Sequence, residues 1–460
     1  MLQPNDVINE FSKALVEGRG AVFVGAGIST PSGVPGWADL LRDIARKRLD
    51  IDLNPNDDLP LIAQHIVNST NNRGPLIAHF RDVLQKTFPH NKYHAMLAKA
   101  NIKCLWTTNY DTLLEDTFRT HYKVVVHASD ESISRGGRDK DIEVIKMHGC
   151  IELSESNDLV ATQEDYDDFF ENRPATAHRL RQDLIDRQFL FLGYGYGDSN
   201  IRNIVVEARR LGKQALRQHY IVVRRIRDKD ARPEEIAAKQ ARQNLWLRDL
   251  SRVGISACQI DEYTELEEIL QRISLRSRGQ TVFVTGSHER DDATKESHPR
   301  RLGELLAEKQ GLVLLDGQSS GTGREVTSAY METCLHKRID ILPRLRLFSN
   351  PYAANPSLSN DMTLLSVLRE WRSPLLRSAQ VVVVYDGRMG TEAEVKLAKD
   401  VGCRIIPVPE SPDGLPTRLL EDPVISQPLE ALDPDYARKA REGYVSPEDV
   451  VECLMKMLYS

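Results

Sequence analysis

Short runs of apolar, β-branched and aromatic residues alternate with segments of helical period along this chain, in two successive series, and that alternation limits the possible folds more than any other feature. In the first series the runs are Ala21–Val24, Cys104–Trp106, Lys123–Val126, Val144–Lys146, Phe189–Leu192 and Tyr220–Val223. Between them, stretches such as Trp37–Leu49 and Gly74–Phe88 repeat their apolar positions at helical spacing. Apolar strands separated by helices are how a parallel sheet covered on both faces reads. After Leu266–Ile273 the polar stretch SLRSRGQ (274–280) reads as a linker, and the pattern restarts. Its second series is Thr281–Val284, Leu312–Leu315, Ile339–Leu342, Val381–Val384 and Arg404–Pro407. The final helix opens at Ser446-Pro447-Glu448-Asp449, an N-cap with proline in the first helical position. The expected fold class is α/β, with two doubly wound Rossmann-like domains over residues 1–273 and 281–460. A length of 460 residues, long for one hydrophobic core, agrees with two domains.

Composition removes several classes of function. With 41% hydrophobic and 28% charged residues and a net charge of −6, the chain lacks the basic footprint of a sequence-independent nucleic-acid binder. The cluster Arg224, Arg225 and Arg227 reads as a solvated strand end. The first twenty residues, MLQPNDVINEFSKALVEGRG, are charged and amphipathic rather than a signal peptide. Apolar runs such as Val381–Tyr385 are far too short to span a bilayer, so a cytoplasmic protein without membrane contact is expected. Six scattered cysteines with no CxxC pair argue against a zinc module or a disulfide framework, and no metal is expected.

Four elements in the first half share one position, the end of a strand. They are Gly25-Ala26-Gly27-Ile28-Ser29, Thr107-Thr108-Asn109-Tyr110-Asp111, Lys146-Met147-His148-Gly149 and the glycine-rich run from Gly193 to Asp198. Open α/β sheets bind ligands there, where small residues admit a pyrophosphate to backbone N–H groups and a helix N-terminus adds positive potential. Taken singly, each has a plain structural explanation: a tight turn, a capping asparagine, a core histidine, a flexible loop. Four in this order are improbable by chance.

This order resembles the sirtuin family, over most of residues 15–210. The resemblance implies an NAD⁺ pocket in which Asn109 orients the ribose or a water and His148 is the general base. It further implies that Gly25–Ser29 hold the pyrophosphate, that Asp111 belongs to the same polar shell, and that Gly193 lines the ribose side, with Asp198 also on the cofactor. Cleaving the nicotinamide–ribose bond passes through an oxocarbenium-like state and expels a pyridinium, so no strong acid is required. A positioned amide and a histidine with a pKa near neutrality would serve. Protein-deacylating sirtuins carry a four-cysteine zinc module and a Pro-Asp-Phe-Arg segment, where this chain has no such spacing and reads Pro35-Gly36-Trp37. Water is then the expected acceptor.

The second half carries three glycine-bearing turns after strands: Gly286-Ser287, Asp316 to Gly323 with Gly321 and Gly323, and Asp386-Gly387-Arg388-Met389-Gly390-Thr391 with Glu394 one helical turn on. Such turns describe a phosphate cradle. They resemble the SLOG family, related to phosphoribohydrolases with a GGxGTxxE element. Here that element is DGRMGTEAE, a change that favours sensing over hydrolysis. A sirtuin-like domain fused to an SLOG domain resembles the ThsA-type effectors of Thoeris anti-phage defence. That resemblance implies NAD⁺ hydrolysis switched on by a cyclic ADP-ribose isomer from a TIR-domain partner, and a homo-oligomer. It also implies an activator pocket of Gly286, Ser287, Arg372, Arg388 and Glu394, with Arg372 as a bidentate phosphate clamp. Arg369 and Arg377 are close enough in sequence to take its place. The alternatives are an NAD⁺-dependent protein deacylase, a nucleotide-binding regulator without catalysis, and an N-glycosidase acting in the second domain.

Overall fold

The computed structural model describes residues 2–54, 57–120, 122–136, 140–155, 158–195, 203–204, 207, 210, 217–227, 232–286, 297–350 and 364–459. They divide into two units, Met1–Ser277 and Arg278–Ser460. Among the described residues twelve strands form one parallel sheet in each unit. The first unit holds β1 (Gly20–Val24), β2 (Cys104–Thr107), β3 (Val124–His127), β4 (Ile142–Lys146), β5 (Gln188–Leu192), β6 (His219–Arg224) and β7 (Ile255–Ile260). Their order is β3-β4-β2-β1-β5-β6-β7, so the chain reverses direction across the sheet on either side of β1.

Successive side chains of a strand point to opposite faces, and both faces here are buried. Val22, Val24, Leu105, Val144, Leu190 and Leu192 pack on one side under the helices Pro4–Val16, Lys92–Lys99 and Tyr263–Arg276. Phe23, Trp106, Ile145, Phe189 and Phe191 pack on the other. The Phe23 ring lies 6.1 Å from Trp106 and 5.5 Å from Phe191, centroid to centroid. A third apolar cluster joins the helices Trp37–Leu49, Leu59–Thr70 and Gly74–Leu84 to Tyr110 and Leu113, the residues that follow β2. This helical layer thereby packs against the loop at the carboxyl end of a central strand.

The second unit holds β8 (Thr281–Thr285), β9 (Val313–Asp316), β10 (Leu345–Leu347), β11 (Val381–Val384) and β12 (Arg404–Pro407), in the order β10-β9-β8-β11-β12. Its reversal falls at β8, and the long helices Thr322–His336 and Met389–Asp400 follow the turns after β9 and β11.

Three expectations differ from the structure. Ile339–Leu342 is not a strand: it leaves the end of the helix Thr322–His336, turns at Leu342, and β10 begins only after Pro343, at Leu345. Proline removes a ladder donor and constrains the residue before it, so the extended pairing starts beyond it. The stretch 274–280 is linker only in part: the helix Tyr263–Arg276 runs through its first three residues, and the boundary between the two units falls within the remainder. β7 was not anticipated: Ser256, Cys258 and Gln259 interrupt its apolar run, as befits an edge strand.

Candidate active site

Register places the four elements of the first half side by side. Val24 pairs with Thr107 and with Leu192, and Thr107 pairs with Lys146, so the last residues of β4, β2, β1 and β5 form one row across four adjacent strands. Asn109 and His148 are each two residues beyond that row on neighbouring strands. Loops leaving a parallel sheet at its reversal point enclose a crevice, and the residues that open all four elements lie at or just beyond this row.

Within this crown, Thr107 Oγ1 donates to the Val24 carbonyl (2.9 Å) and accepts from the Asn109 N–H (3.0 Å), which shapes the turn after β2. Asn109 is 6% exposed; its Nδ2 donates to Ser29 Oγ at 3.1 Å, while its Oδ1 has no partner. Ser29 Oγ donates in turn to Asp111 Oδ1 at 3.3 Å, and Asp111 Oδ1 also accepts from the Leu113 N–H at 3.1 Å. Beneath the loop the buried Lys146 donates to Glu115 Oε1 (2.7 Å) and to the Asp111 carbonyl, joining the end of β4 to the loop after β2. Burial disfavours a charge on Lys146, but the facing Glu115 raises its pKa.

His148 is buried against the rings of Tyr166 and Phe169, edge-on at 5.2 and 6.3 Å. Burial, and then the positive charge of Arg173, push its pKa down to about 3. The expected base near neutrality is therefore a neutral imidazole held well below its ordinary value. The wall beside it, residues 158–165, is pinned by Arg73, which pairs bidentately with Asp165 at 2.7 and 2.8 Å, and by Arg173, which donates to the Asp158 carbonyl.

The first element differs from expectation in detail. After Gly25 the chain makes two short 3₁₀ turns, Ala26–Ile28 and Thr30–Ser32, and the long helix begins only at Trp37. No helix N-terminus therefore follows the glycines directly. Ile28 packs in the core and Ser29 is fully buried, whereas Ala26 and Gly27 are exposed. Gly27 donates its N–H to the Gly193 carbonyl at 3.0 Å, and a Cβ on Gly27 would stand 2.7 Å from that oxygen. Gly193 adopts φ +75°, and its own Cβ would meet the Gly25 carbonyl and the Ile28 nitrogen at 2.8 Å. These glycines are thus demanded by the seam between the first and fourth loops. Asp198 lies outside the described residues.

Sequence reasoning missed His94 and Tyr194. His94 Nε2 lies 3.5 Å from Ser29 Oγ. Tyr194 donates its hydroxyl to the Val24 carbonyl at 3.3 Å and is 3.4 Å from Thr108 Oγ1. The one signal for His94 was the N-cap pattern at Asn91, which places it in the first turn of Lys92–Lys99. Among the described residues no group of three or more His, Cys, Asp and Glu side chains could hold a metal ion, and all six cysteines are free thiols.

In the second unit the turns after β8, β9 and β11 also leave adjacent strands. Arg372 brings them together: it is 3% exposed, its Nη1 donates to the Gly317 carbonyl at 2.5 Å, and its Nε lies 2.9 Å from Glu394 Oε1. Glu394 Oε2 accepts from Thr285 Oγ1 at 2.5 Å. Burial raises the Glu394 pKa against the opposing pull of Arg372. A Cβ on Gly286 would stand 2.8 Å from Tyr385 Cβ. Gly321 precedes the helix Thr322–His336, with Gly323 in its first turn, and exposed Arg388 caps the helix Met389–Asp400. Arg377 is half-buried; Ser287 and the Arg369 side chain lie outside the described residues.

Two family models match: a SIR2-like domain over residues 103–243 and the SLOG cluster4 family over residues 280–425. An NAD(+) hydrolase ThsA of Enterococcus faecium is 30% identical over 340 residues, covering 71% of this chain and 70% of that one. The chain belongs to the ThsA family. An NAD(+) hydrolase ThsA of Acinetobacter baumannii is 27% identical over 98% of this chain and 96% of its own. A Defense-associated sirtuin 2 of Bacillus subtilis is 24% identical over 63% of this chain and 29% of its own. The matched SIR2-like segment contains Asn109, Asp111, His148 and Gly193, whereas Gly25–Ser29 precede it. Among the described residues no helix is long and apolar enough to cross a membrane.

Proposed function

We propose that residues 1–273 hydrolyse NAD⁺ to nicotinamide and ADP-ribose, in an effector of bacterial anti-phage defence, and that residues 281–460 sense the nucleotide that switches this on. The reading is supported first by the row of four loops and then by membership of a family whose named members are NAD(+) hydrolases. The bond from ribose C1′ to the pyridinium nitrogen breaks with its electron pair leaving on nicotinamide, a water oxygen bonds to C1′, and one proton is released. Asn109 Oδ1, buried and without a partner, accepts a hydrogen bond from a ribose hydroxyl or from that water. Neutral His148 receives the proton; a weak base suffices because the electrophile is an oxocarbenium-like centre. Ala26 and Gly27, exposed in the first loop, are assigned to the pyrophosphate, and Asp111, Gly193 and Asp198 to the rest of the NAD⁺ site.

For control, we assign the activator to Gly286, Ser287, Gly321, Gly323, Arg372, Arg388 and Glu394. Arg372 is engaged by Glu394 and the Gly317 carbonyl, so a phosphate must win the guanidinium from an internal carboxylate. The activator class is a cyclic ADP-ribose isomer supplied by a TIR-domain protein, and the effector works in the cytoplasm as a homo-oligomer. Purified full-length protein incubated with NAD⁺, with and without cyclic ADP-ribose isomers, tests both halves by nicotinamide release. NAD⁺ loss only with an isomer is the expected result. Loss without any isomer removes the control, and no loss under any condition removes the activity.

A further inference from the structure

We infer that His94 acts through Ser29 to fix which end of the Asn109 amide faces the ligand, making His94 a positioning residue of the NAD⁺-cleaving site. The inference rests on the proposed role of Asn109.

A hydroxyl has one hydrogen to donate and two lone pairs to accept with. The proton of Ser29 goes to Asp111 Oδ1 at 3.3 Å, where a carboxylate can only accept. His94 Nδ1 accepts the Asn91 backbone N–H at 3.3 Å, so in a neutral ring the proton must sit on Nε2. Burial holds His94 neutral, with its pKa pushed down to about 4. The Nε2–H therefore points at Ser29 Oγ, 3.5 Å away, and takes one of its lone pairs. One lone pair remains, and only a donor can use it. Asn109 must turn its NH₂ to Ser29, as the 3.1 Å contact has it, and so its carbonyl oxygen is the end left buried without a partner. A flipped amide would set oxygen against lone pairs. His94 is itself held in register, because Asn91 Nδ2 donates to the Ile28 carbonyl and to Ser32 Oγ, both at 2.8 Å, tying its helix to the first loop.

The test compares full-length wild type with His94→Phe, His94→Gln, Ser29→Ala and Asn109→Ala, measuring kcat and KM for NAD⁺ under the condition of highest wild-type turnover. Glutamine places an amide N–H near the position of Nε2; phenylalanine fills the volume without a donor. We expect kcat to fall about tenfold in His94→Phe and in Ser29→Ala, with KM changed less, and His94→Gln to regain most of the loss. Tenfold corresponds to about 1.4 kcal/mol. If Asn109→Ala is inactive while His94→Phe and Ser29→Ala stay within twofold of wild type, the inference is wrong and the function stands. Equal losses in His94→Gln and His94→Phe would mean a packing role only, which also overturns it. Wild-type turnover in Asn109→Ala removes the proposed active site itself. Should His94→Phe fail to fold, as judged by circular dichroism, Ser29→Ala against His94→Gln decides.

Discussion

The two units crown their parallel sheets with polar residues in opposite ways. In the first, several buried polar atoms, Asn109 Oδ1, Glu115 Oε2 and Arg173 Nη1, are left without a partner, and burial disfavours a charge on His148. In the second, Arg372, Glu394, Thr285 and the Gly317 carbonyl answer one another. An unpaired buried acceptor costs roughly 1–3 kcal/mol, so the first crown is strained toward a ligand. In the second, Arg372 is already engaged by Glu394 and the Gly317 carbonyl, although its Nε makes no hydrogen bond, and a ligand there has to break an existing ion pair before it gains anything. A catalytic pocket profits from the first condition and a switch from the second.

The largest expected effect breaks the first crown. Asn109→Ala or His148→Ala should lower nicotinamide release by roughly 10²–10⁴-fold without unfolding the protein; near wild-type NAD⁺ consumption in a folded variant would falsify the assignment. Breaking the second crown should act on control and stability together. Arg372→Ala is expected to raise the half-activating isomer concentration by about 10–150-fold, from the loss of one charge-assisted contact. It should also destabilise the second unit by about 3–5 kcal/mol, because Glu394 is left buried without its cation. Dose–response curves and thermal unfolding of the same variant measure the two effects, and an unchanged half-activating concentration would take Arg372 out of the activator site.

Acid sharpens the contrast. In the first unit burial lowers His94 to about 4, His148 to about 3 and His219 to about 4. Each has a folded pKa below its unfolded one, so the unfolded chain binds more protons, and stability is lost as pH falls from about 6.5 toward 4. At about 1.4 kcal/mol per pH unit, each costs roughly 2 kcal/mol by pH 5. Glu394 is shifted upward, so its contribution has the opposite sign and favours the folded second unit as pH drops. Calorimetry between pH 7 and pH 5 should show the first unit's transition moving down more than the second's; parallel movement would contradict these buried-histidine shifts. The smallest expected effect is none: prolonged chelation should leave NAD⁺ hydrolysis unchanged, and elemental analysis showing one zinc per chain would reopen the deacylase reading.

Much of this was legible in the chain. β11 and β12 begin and end where their apolar runs do, because Val381–Val384 and Arg404–Pro407 lie in a doubly covered sheet where nothing competes with the pattern. The four loop elements were found by residue type alone. Their common row was not, since register depends on which strands pair: β1 pairs with its successor β2 but also with the distant β5, and β2 pairs with β4 rather than β3. Ile339–Leu342 was misread because an apolar run says nothing of the proline that follows it. His94 stayed hidden because its role comes from Ser29, sixty-five residues away, and no spacing in the chain encodes that meeting. The depressed pKa of His148 was equally invisible, being a property of the rings and of Arg173 folded around it.

The row Val24, Thr107, Lys146 and Leu192 has a consequence for the cell that makes the protein. Because the row is gathered from distant parts of the chain, no contiguous fragment shorter than the span from β1 to β5 carries the site. Contacts so far apart close late and slowly in folding. On a ribosome moving at roughly 5–20 residues per second, about ten to forty seconds pass before Leu192 is even polymerised, and β5 must then dock beside β1. A chain that hydrolyses NAD⁺ thus gathers this row only as a finished domain, and prematurely terminated copies lacking β5 cannot form it.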